Sequence, residues 1–333
     1  MTVTRALALA AALSLTAVVS ACSSHPAATD SGASVTIRIP DPGNAGALAL
    51  GKKDGSLDAA LAAVGAKVEW TGSAGPFAPA AQELDNNALD VAEGSITSAI
   101  AALAQKPGFK LFAAIAPDAV GEGILVKDNS GIKTVADLAG KKVVVWHGGS
   151  SEYLLLQALA RNNVPVSSVQ RVYLQPNQSA AVLHSGQVDA WATWASFSIA
   201  ERAEAGEHFL ATGGEIGSQN YAVWAVRNEF AQQHPAVVKA FYTYLHDAEA
   251  KQAQQPENYV NVVRASGPDA YEGRARDLEL EFLRASAPTS AITDADKAAF
   301  AQVSKFFADQ QVTDGVFDVT PHLLDVTALE QAK

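Results

Sequence analysis

Lys142-Val143-Val144-Val145-Trp146-His147-Gly148-Gly149-Ser150-Ser151-Glu152-Tyr153-Leu154-Leu155 is the stretch that decides the fold. Its first five residues, Lys142 to Trp146, form a short run rich in β-branched apolar side chains, the composition of a buried strand. Gly148-Gly149 interrupts the run, and Ser150-Ser151 stand where a helix N-terminus belongs, ahead of an apolar segment reaching about residue 162. A buried strand that passes through a tight turn directly into a helix is the building unit of an α/β protein.

The same scheme extends in both directions. Val35 to Ile39 alternates as a strand and ends in the turn cluster Pro40-Asp41-Pro42-Gly43-Asn44. Lys67 to Trp70 reads as a second strand, and Pro76 opens a helix to about Leu89. Asp90-Val91-Ala92 is a short strand, followed by the turn Glu93-Gly94-Ser95 and a helix through about Ala104. Leu111 to Ile115, Gly123 to Val126, Val169 to Tyr173 and Ala190 to Thr193 are further strands, with a helix at about 178–185. The alternation predicts largely parallel sheets. A faint echo links Pro76…Leu89-Asp90-Val91 to Pro176…Val188-Asp189-Ala190: helix, polar turn, apolar residue, aspartate, strand. Two similar α/β lobes would produce it. Beyond about residue 228 the pattern becomes helical, over Glu229 to Gln254, Pro256 to Ala265, Tyr271 to Ala285 and Asp294 to Gln310.

The start of the chain has a different character. Arg5 precedes the apolar run Ala6 to Val19, which is short for a membrane span, and Val19-Ser20-Ala21 places small residues before Cys22. Cys22 is the one cysteine of the chain, so no intramolecular disulfide and no cysteine-based zinc site is expected. Residues 22–34 read as a flexible Ser/Ala/Thr/Gly/Pro tether. Removal of residues 1–21 leaves 312 of the 333 residues, enough for two lobes, and takes the formal charge from −11 to −12 through loss of Arg5. With no basic block, nucleic acid is excluded as a partner class. An anion would have to be held by local dipoles rather than by the overall field.

Those dipoles have a candidate source. A helix start at Gly149-Ser150-Ser151 offers unpaired N–H groups, a backbone that a ligand can approach, and two hydroxyls. Ser95 and Thr97 offer a corresponding helix start, and Gly43 and Asn44 a third loop. Trp191 and Trp194 lie in and at the end of one strand, where an aromatic ring could line a cleft. The seven histidines show no metal-ligand spacing on a helix, so neither metal nor cofactor is expected. There is no nucleophile elbow and no phosphate-binding loop of the Walker type.

Three segments together resemble a known family. Ile132 to Val143, Gly148-Gly149-Ser150-Ser151-Glu152-Tyr153-Leu154-Leu155 and Gln187-Val188-Asp189-Ala190-Trp191-Ala192-Thr193-Trp194 resemble ABC-transporter substrate-binding proteins of the aliphatic sulfonate, taurine and nitrate branch (NMT1/THI5-like). The N-terminal segment resembles a lipoprotein signal with Cys22 as the acylated residue. The resemblance implies two Rossmann-like lobes, 35–122 with 227–333 and 123–226, joined by crossings near 121–127 and 222–228, with the C-terminal helices on the first lobe. It also implies a ligand cleft closed by a hinge, with Asn220 and Tyr221 beside it. The expected function is a monomeric, lipid-anchored receptor on the outer face of a bacterial cytoplasmic membrane. It would deliver a small organic anion, by preference a sulfonate, to an ABC permease with its ATPase. Nitrate, a thiamine-precursor pyrimidine or another aromatic solute is the alternative cargo. An enzyme on the same fold is the alternative function, disfavoured because the body carries no cysteine. The chain departs from sulfonate binders at Asp41-Pro42, Glu93-Gly94-Ser95 and Ala195.

Replacing Cys22 by Ala is expected to abolish incorporation of labelled palmitate. Labelling equal to that of the unaltered chain would contradict the lipoprotein reading.

Overall fold

The computed structural model describes residues 34–105, 107–204 and 206–330; Cys22, the leader and the tether up to residue 33 lie outside them. The elements of the first part are β1 (Val35–Pro40), α1 (Ala47–Asp54), α2 (Ser56–Ala62), β2 (Ala66–Thr71), α3 (Phe77–Asp85), β3 (Val91–Ser95), α4 (Ile96–Leu103) and β4 (Phe109–Ile115). The middle part holds β5 (Glu122–Lys127), β6 (Lys142–Val145), α5 (Ser150–Arg161), β7 (Gln170–Tyr173), α6 (Pro176–His184), β8 (Ala190–Trp194), α7 (Ala195–Glu204), β9 (Glu207–Thr212) and α8 (Gly213–Ile216). Then come β10 (Ala222–Arg227), α9 (Asn228–Gln233), α10 (Pro235–Gln254), α11 (Gly273–Ala285) and α12 (Asp294–Asp309). Among the described residues no helix is long and apolar enough to cross a membrane.

The architecture is a two-lobed α/β fold. One lobe carries the parallel pair β1–β2 and a three-stranded sheet in the order β3-β10-β4; the other carries five strands in the order β7-β6-β8-β5-β9. The sheets are mixed rather than largely parallel. β10 runs antiparallel to both β3 and β4, and β5 runs antiparallel to both β8 and β9. The reason is connectivity: β5 and β10 each enter from the opposite lobe, so no helical crossover constrains them to run parallel. β10 already lies in the first lobe's sheet at Ala222, so the return crossing is 217–221 rather than 222–228. The outward crossing is 116–121, before Glu122 opens β5.

Two helix expectations change. The segment 229–254 is two helices, because Pro235 disfavours helical geometry at the residue before it; His234 sits at φ −132°, ψ 52°, and Pro235 starts α10. The segment 256–265 holds only a short 3-10 turn, Pro256–Tyr259. Beyond that turn the backbone is held by side chains: Asn261, at φ 56°, bonds both the N–H and the C=O of Tyr271.

The sequence echo has a structural basis. Asp90 Oδ2 accepts the Arg38 N–H at 2.9 Å while the Asp90 N–H donates to the Arg38 carbonyl at 3.0 Å. Asp189 Oδ2 accepts the Lys142 N–H at 2.8 Å while the Asp189 N–H donates to the Lys142 carbonyl at 2.9 Å. Each aspartate thus registers its own strand, β3 or β8, against β1 or β6. Asp90 does more. It is 1 % exposed and also accepts from the guanidinium groups of Arg38 and Arg227, tying β1, β3 and β10 together. Burial works against its charge, but the bonds from Arg38 and Arg227 outweigh that and hold its carboxyl below the usual range.

Apolar faces close the layers. Phe109, Leu111, Ile96 and Ile100 meet Phe300, Val303 and Phe307 of α12, while Ile37, Ile39, Val91 and Phe112 meet Val238, Phe241 and Leu245 of α10. In the second lobe Val143 and Val145 pack with Leu154, Leu155, Ala158 and Leu159 of α5. The lobes also touch directly. Tyr153 of α5 packs edge-on against Phe306 and Phe307, and Leu278 of α11 packs with Ile199 of α7. α10 and α12 therefore cover the first lobe as expected, whereas α11 also reaches the second.

Asp90→Asn is expected to cost about 3–5 kcal/mol, because it leaves two arginines without their buried carboxylate. Asp189→Asn, at a partly exposed position, is expected to cost only about 1 kcal/mol. Urea denaturation of both variants checks this; equal losses would contradict the role given to the arginines.

Candidate functional site

The turn between β6 and α5 is organised by a carboxylate that the sequence did not single out. Glu152, in the first turn of α5, is fully buried. Its Oε2 accepts the Gly148 N–H at 2.8 Å and lies 3.1 Å from His147 Nδ1, while its Oε1 accepts from Arg171 at 2.7 Å and from the Tyr173 hydroxyl at 2.8 Å. Burial and the Glu152 carboxylate push the Tyr173 hydroxyl up to about 12, so it remains a donor. Ser151, 1 % exposed, accepts the Trp146 N–H at 2.6 Å. Among the described residues nothing bonds the hydroxyl of half-buried Ser150. Gly148 adopts φ +65°, open to glycine at no cost. At Gly149 a Cβ would lie 2.6 Å from Trp146 Cδ1 and 3.3 Å from Ser98 Oγ. The missing side chain therefore makes room chiefly for the Trp146 ring, and it leaves the start of α5 beside Ser98 of α4 in the other lobe.

α4 begins at the facing position. Ser95 caps it, accepting the Ser98 N–H at 3.3 Å, and its hydroxyl also bonds Thr97 Oγ1 at 2.9 Å and Ser98 Oγ at 3.1 Å. Fully buried Thr97 donates to Asn220 Oδ1 at 3.0 Å, and Asn220 Nδ2 donates to Glu122 Oε2 at 3.0 Å. The structure thus brings Ser95, Thr97 and Asn220 into one chain of bonds that ends on Glu122, with Gly149 beside Ser98. The chain runs from the first lobe, through the return crossing, to the first residue of β5.

Acids surround this region, and their charge is managed. Burial pushes Glu122 up to about 7, against the opposing bonds from Ser218 and Asn220. Glu93, open to solvent but walled by protein, is pushed up to about 7 by burial and by the nearby Glu249. Glu93 and Ser95 alternate onto one face of β3. Asp41 pairs with Lys52 and accepts the Gly43 N–H at 2.9 Å; despite the opposing effect of burial, those bonds hold its carboxyl below the usual range.

Of the remaining candidates, Gly43, Asn44 and Trp191 lie elsewhere. Asn44 is committed to structure: its Oδ1 accepts the N–H groups of Val263 and Arg264, each at 2.8 Å, and its Nδ2 donates to the carbonyls of Arg264 and Asp269. Gly43 is exposed at φ +76° beside it. Trp191 is 3 % exposed, in a core with Leu125, Val144, Leu183 and Phe197. Trp194 remains partly open at the end of β8, cross-strand from Glu122 and edge-on to Phe197 at 5.1 Å. A separate groove of about 580 Å³ runs between α1–α2 and α10, lined by Asp54, Lys239, Tyr244 and Lys251; none of the candidate residues lines it.

Comparison with known proteins agrees with this fold. The family model described as NMT1/THI5 like matches residues 67–259, more than half of the chain. A relative named as an aliphatic sulfonates-binding protein in Escherichia coli (strain K12) is 33 % identical over 147 residues, 44 % of this chain and 46 % of that protein. A relative with the same name in Bacillus subtilis (strain 168) is 28 % identical over 228 residues, 68 % of each chain. The chain thus spans about half the length of the first of these relatives and about two thirds of the second. The solved alkanesulfonate-binding protein SsuA from Xanthomonas axonopodis pv. citri, bound to MOPS, superposes with a TM-score of 0.77 at 22 % identity, over 87 % of this chain and 98 % of that one. The desulfurization enzyme DSZB shares the fold, with a TM-score of 0.62 at 18 % identity over 87 % and 96 % of the two chains.

The raised carboxyls set the pH dependence of stability. Glu122 and Glu279, both buried, release their protons near 7 when folded and near 4.5 when unfolded. Between those values the folded chain holds protons that the unfolded chain has lost, so stability falls as pH rises through the window and levels off above it. The thermal midpoint is expected to be higher near pH 5 than near pH 8, and Glu122→Gln to flatten that slope. A midpoint rising from about pH 5 to about pH 8 would contradict this account of the carboxyls.

Proposed function

The chain belongs to the NMT1/THI5-like family, and on that premise we propose that it is the solute-binding receptor of an ABC importer, taking a small organic anion of the sulfonate class. The observation that supports the ligand class best is the meeting of two helix starts from opposite lobes, α4 at Ser95 and α5 at Ser150, with Gly149 beside Ser98. Each start presents N–H groups without intrahelical acceptors, and the two dipoles converge. A sulfonate is ionised at any biological pH and offers three acceptor oxygens. Neutral donors to such a group contribute roughly 1.5–3 kcal/mol each, enough to hold an anion on a chain whose formal charge goes from −11 to −12 once Arg5 is lost with the leader.

In this reading Ser150, the first N–H groups of α5, Ser95 and Asn220 hold the head group, and the exposed part of Trp194 packs on the organic tail. Asp41 does not repel the anion because Lys52 neutralises it. Glu93 and Glu122, both near 7, are protonated in a substantial fraction of molecules at neutral pH. Residues 34–115 with 222–330 form one moving body and 122–216 the other, hinged at the two crossings. Capture closes them, and the closed form docks on the permease. Cys22 holds the receptor by lipid on the outer face of the bacterial cytoplasmic membrane. No reaction is assigned: both relatives are named as binding proteins, and the chain's one cysteine, Cys22, is the lipid-bearing residue that opens the tether, so the body offers no thiol nucleophile.

Calorimetric titration with methane-, hexane- and benzenesulfonate tests this. One molecule is expected to bind per chain, more weakly at pH values above 7 as Glu93 and Glu122 ionise. Ser150→Ala is expected to weaken binding by about tenfold to a hundredfold, the equivalent of one donor to an ionised group. Trp194→Ala should weaken the hexane and benzene compounds more than the methane one. No binding of any of the three, together with binding of a cation that tightens as pH rises, would overturn the sulfonate assignment.

A further inference from the structure

At the outer edge of the five-stranded sheet, His184 at the end of α6, Glu201 of α7 and Glu207 at the start of β9 converge. One ligand atom from each lies within 4.8 Å of the others. His184 Nε2 is 3.5 Å from Glu207 Oε1 and also contacts Glu201 Oε2. Glu207 is 4 % exposed, and neither of its carboxylate oxygens has a hydrogen-bond partner among the described residues; nor has Glu201 Oε2. Lys127, the neighbouring ammonium, donates to the His184 carbonyl at 2.6 Å. Two carboxylates have thus been brought side by side largely out of water with only the His184 imidazole set against them, which is costly unless a cation joins them.

We propose that His184, Glu201 and Glu207 bind a divalent transition metal of the Zn²⁺ type. The donor set of one imidazole and two carboxylates suits zinc, whereas Ca²⁺ would take six or more oxygens. Ligands at about 2.0–2.2 Å around a tetrahedral ion stand about 3.4 Å apart; the His184–Glu207 separation of 3.5 Å matches that edge, whereas His184 and Glu201 stand closer and would move apart to admit the ion. The fourth position opens toward solvent on the side of His184, whose side chain is 46 % exposed. The ion would pin α6 and α7 to β9, the edge strand of the sheet, away from the serine-bearing helix starts.

The test is calorimetric titration of the full chain with Zn²⁺ alone, with Co²⁺ as an absorbing probe. The expected result is one ion per chain, a visible Co²⁺ band of tetrahedral intensity, and a thermal midpoint that rises with Zn²⁺ concentration. Glu207→Gln and His184→Ala should each weaken binding by at least about tenfold, while His322→Ala should not. Glu207→Gln removes a buried charge at nearly constant shape, so its metal-free thermal midpoint should equal or exceed that of the unaltered chain, showing that it folds. Absence of stoichiometric binding, or undiminished binding by a folded Glu207→Gln chain, would overturn the proposal.

Discussion

Two aspartates, each closing a reciprocal pair of backbone bonds with the start of a neighbouring strand, set the register on which the rest of this structure depends. Asp90 fixes β3 against β1, and Asp189 fixes β8 against β6. A one-residue slip in either place would turn every side chain of the strand to the other face. From each aspartate the chain runs five residues, about 17 Å, to the edge where the candidate site lies. β3 arrives there with Ser95 and β8 with Trp194, while β6 turns through Gly148-Gly149 into α5. The separation between clamp and site lets the interior be rigid and apolar while the rim stays polar. Asp90 carries the heavier duty, since its two arginines also join the parallel pair to the three-stranded sheet.

At the rim the governing quantity is charge. An acidic chain can present a helix dipole to an anion only where nearby carboxylates are neutralised. Three devices do this: an ion pair at Asp41, burial at Glu122, and a full set of donors on Glu152. Asn220 is the link between the devices and the fold. It spans Thr97 of one lobe and Glu122 at the entry to the other, so any change in the angle between the lobes must rearrange its bonds.

Much of this was legible in the sequence because it is local. Strand-turn-helix units, the serine-bearing helix starts and the paired aspartate motifs are written in contiguous residues, and the structure places each of these features at the junction expected. What escaped was long-range. β9 and β10 are flanked by glycine turns at Gly206, Gly213-Gly214 and Gly217 but do not alternate cleanly, and their antiparallel setting follows from chain crossings rather than from composition. Glu152 stands in the first turn of α5, and nothing local in the sequence marks it as the point on which Arg171 and Tyr173 of β7 converge. Asn44 sits in a turn cluster that could equally serve a ligand or a loop, and only the partners at 261–269 show it holding the loop. Trp191 and Trp194 are three residues apart, and their difference in burial comes from position along β8, one in mid-sheet and one at its end.

The central claim is that helix starts from two lobes, held in register by the aspartate clamps, converge on one ionised head group. A crystal structure of the chain with hexanesulfonate tests it most directly. The account predicts the three sulfonate oxygens within hydrogen-bond distance of the Ser150 region of α5 and the Ser95 region of α4, with the alkyl chain against Trp194. A sulfonate bound instead in the groove between α2 and α10, or held by one lobe alone with the two helix starts apart, would contradict it.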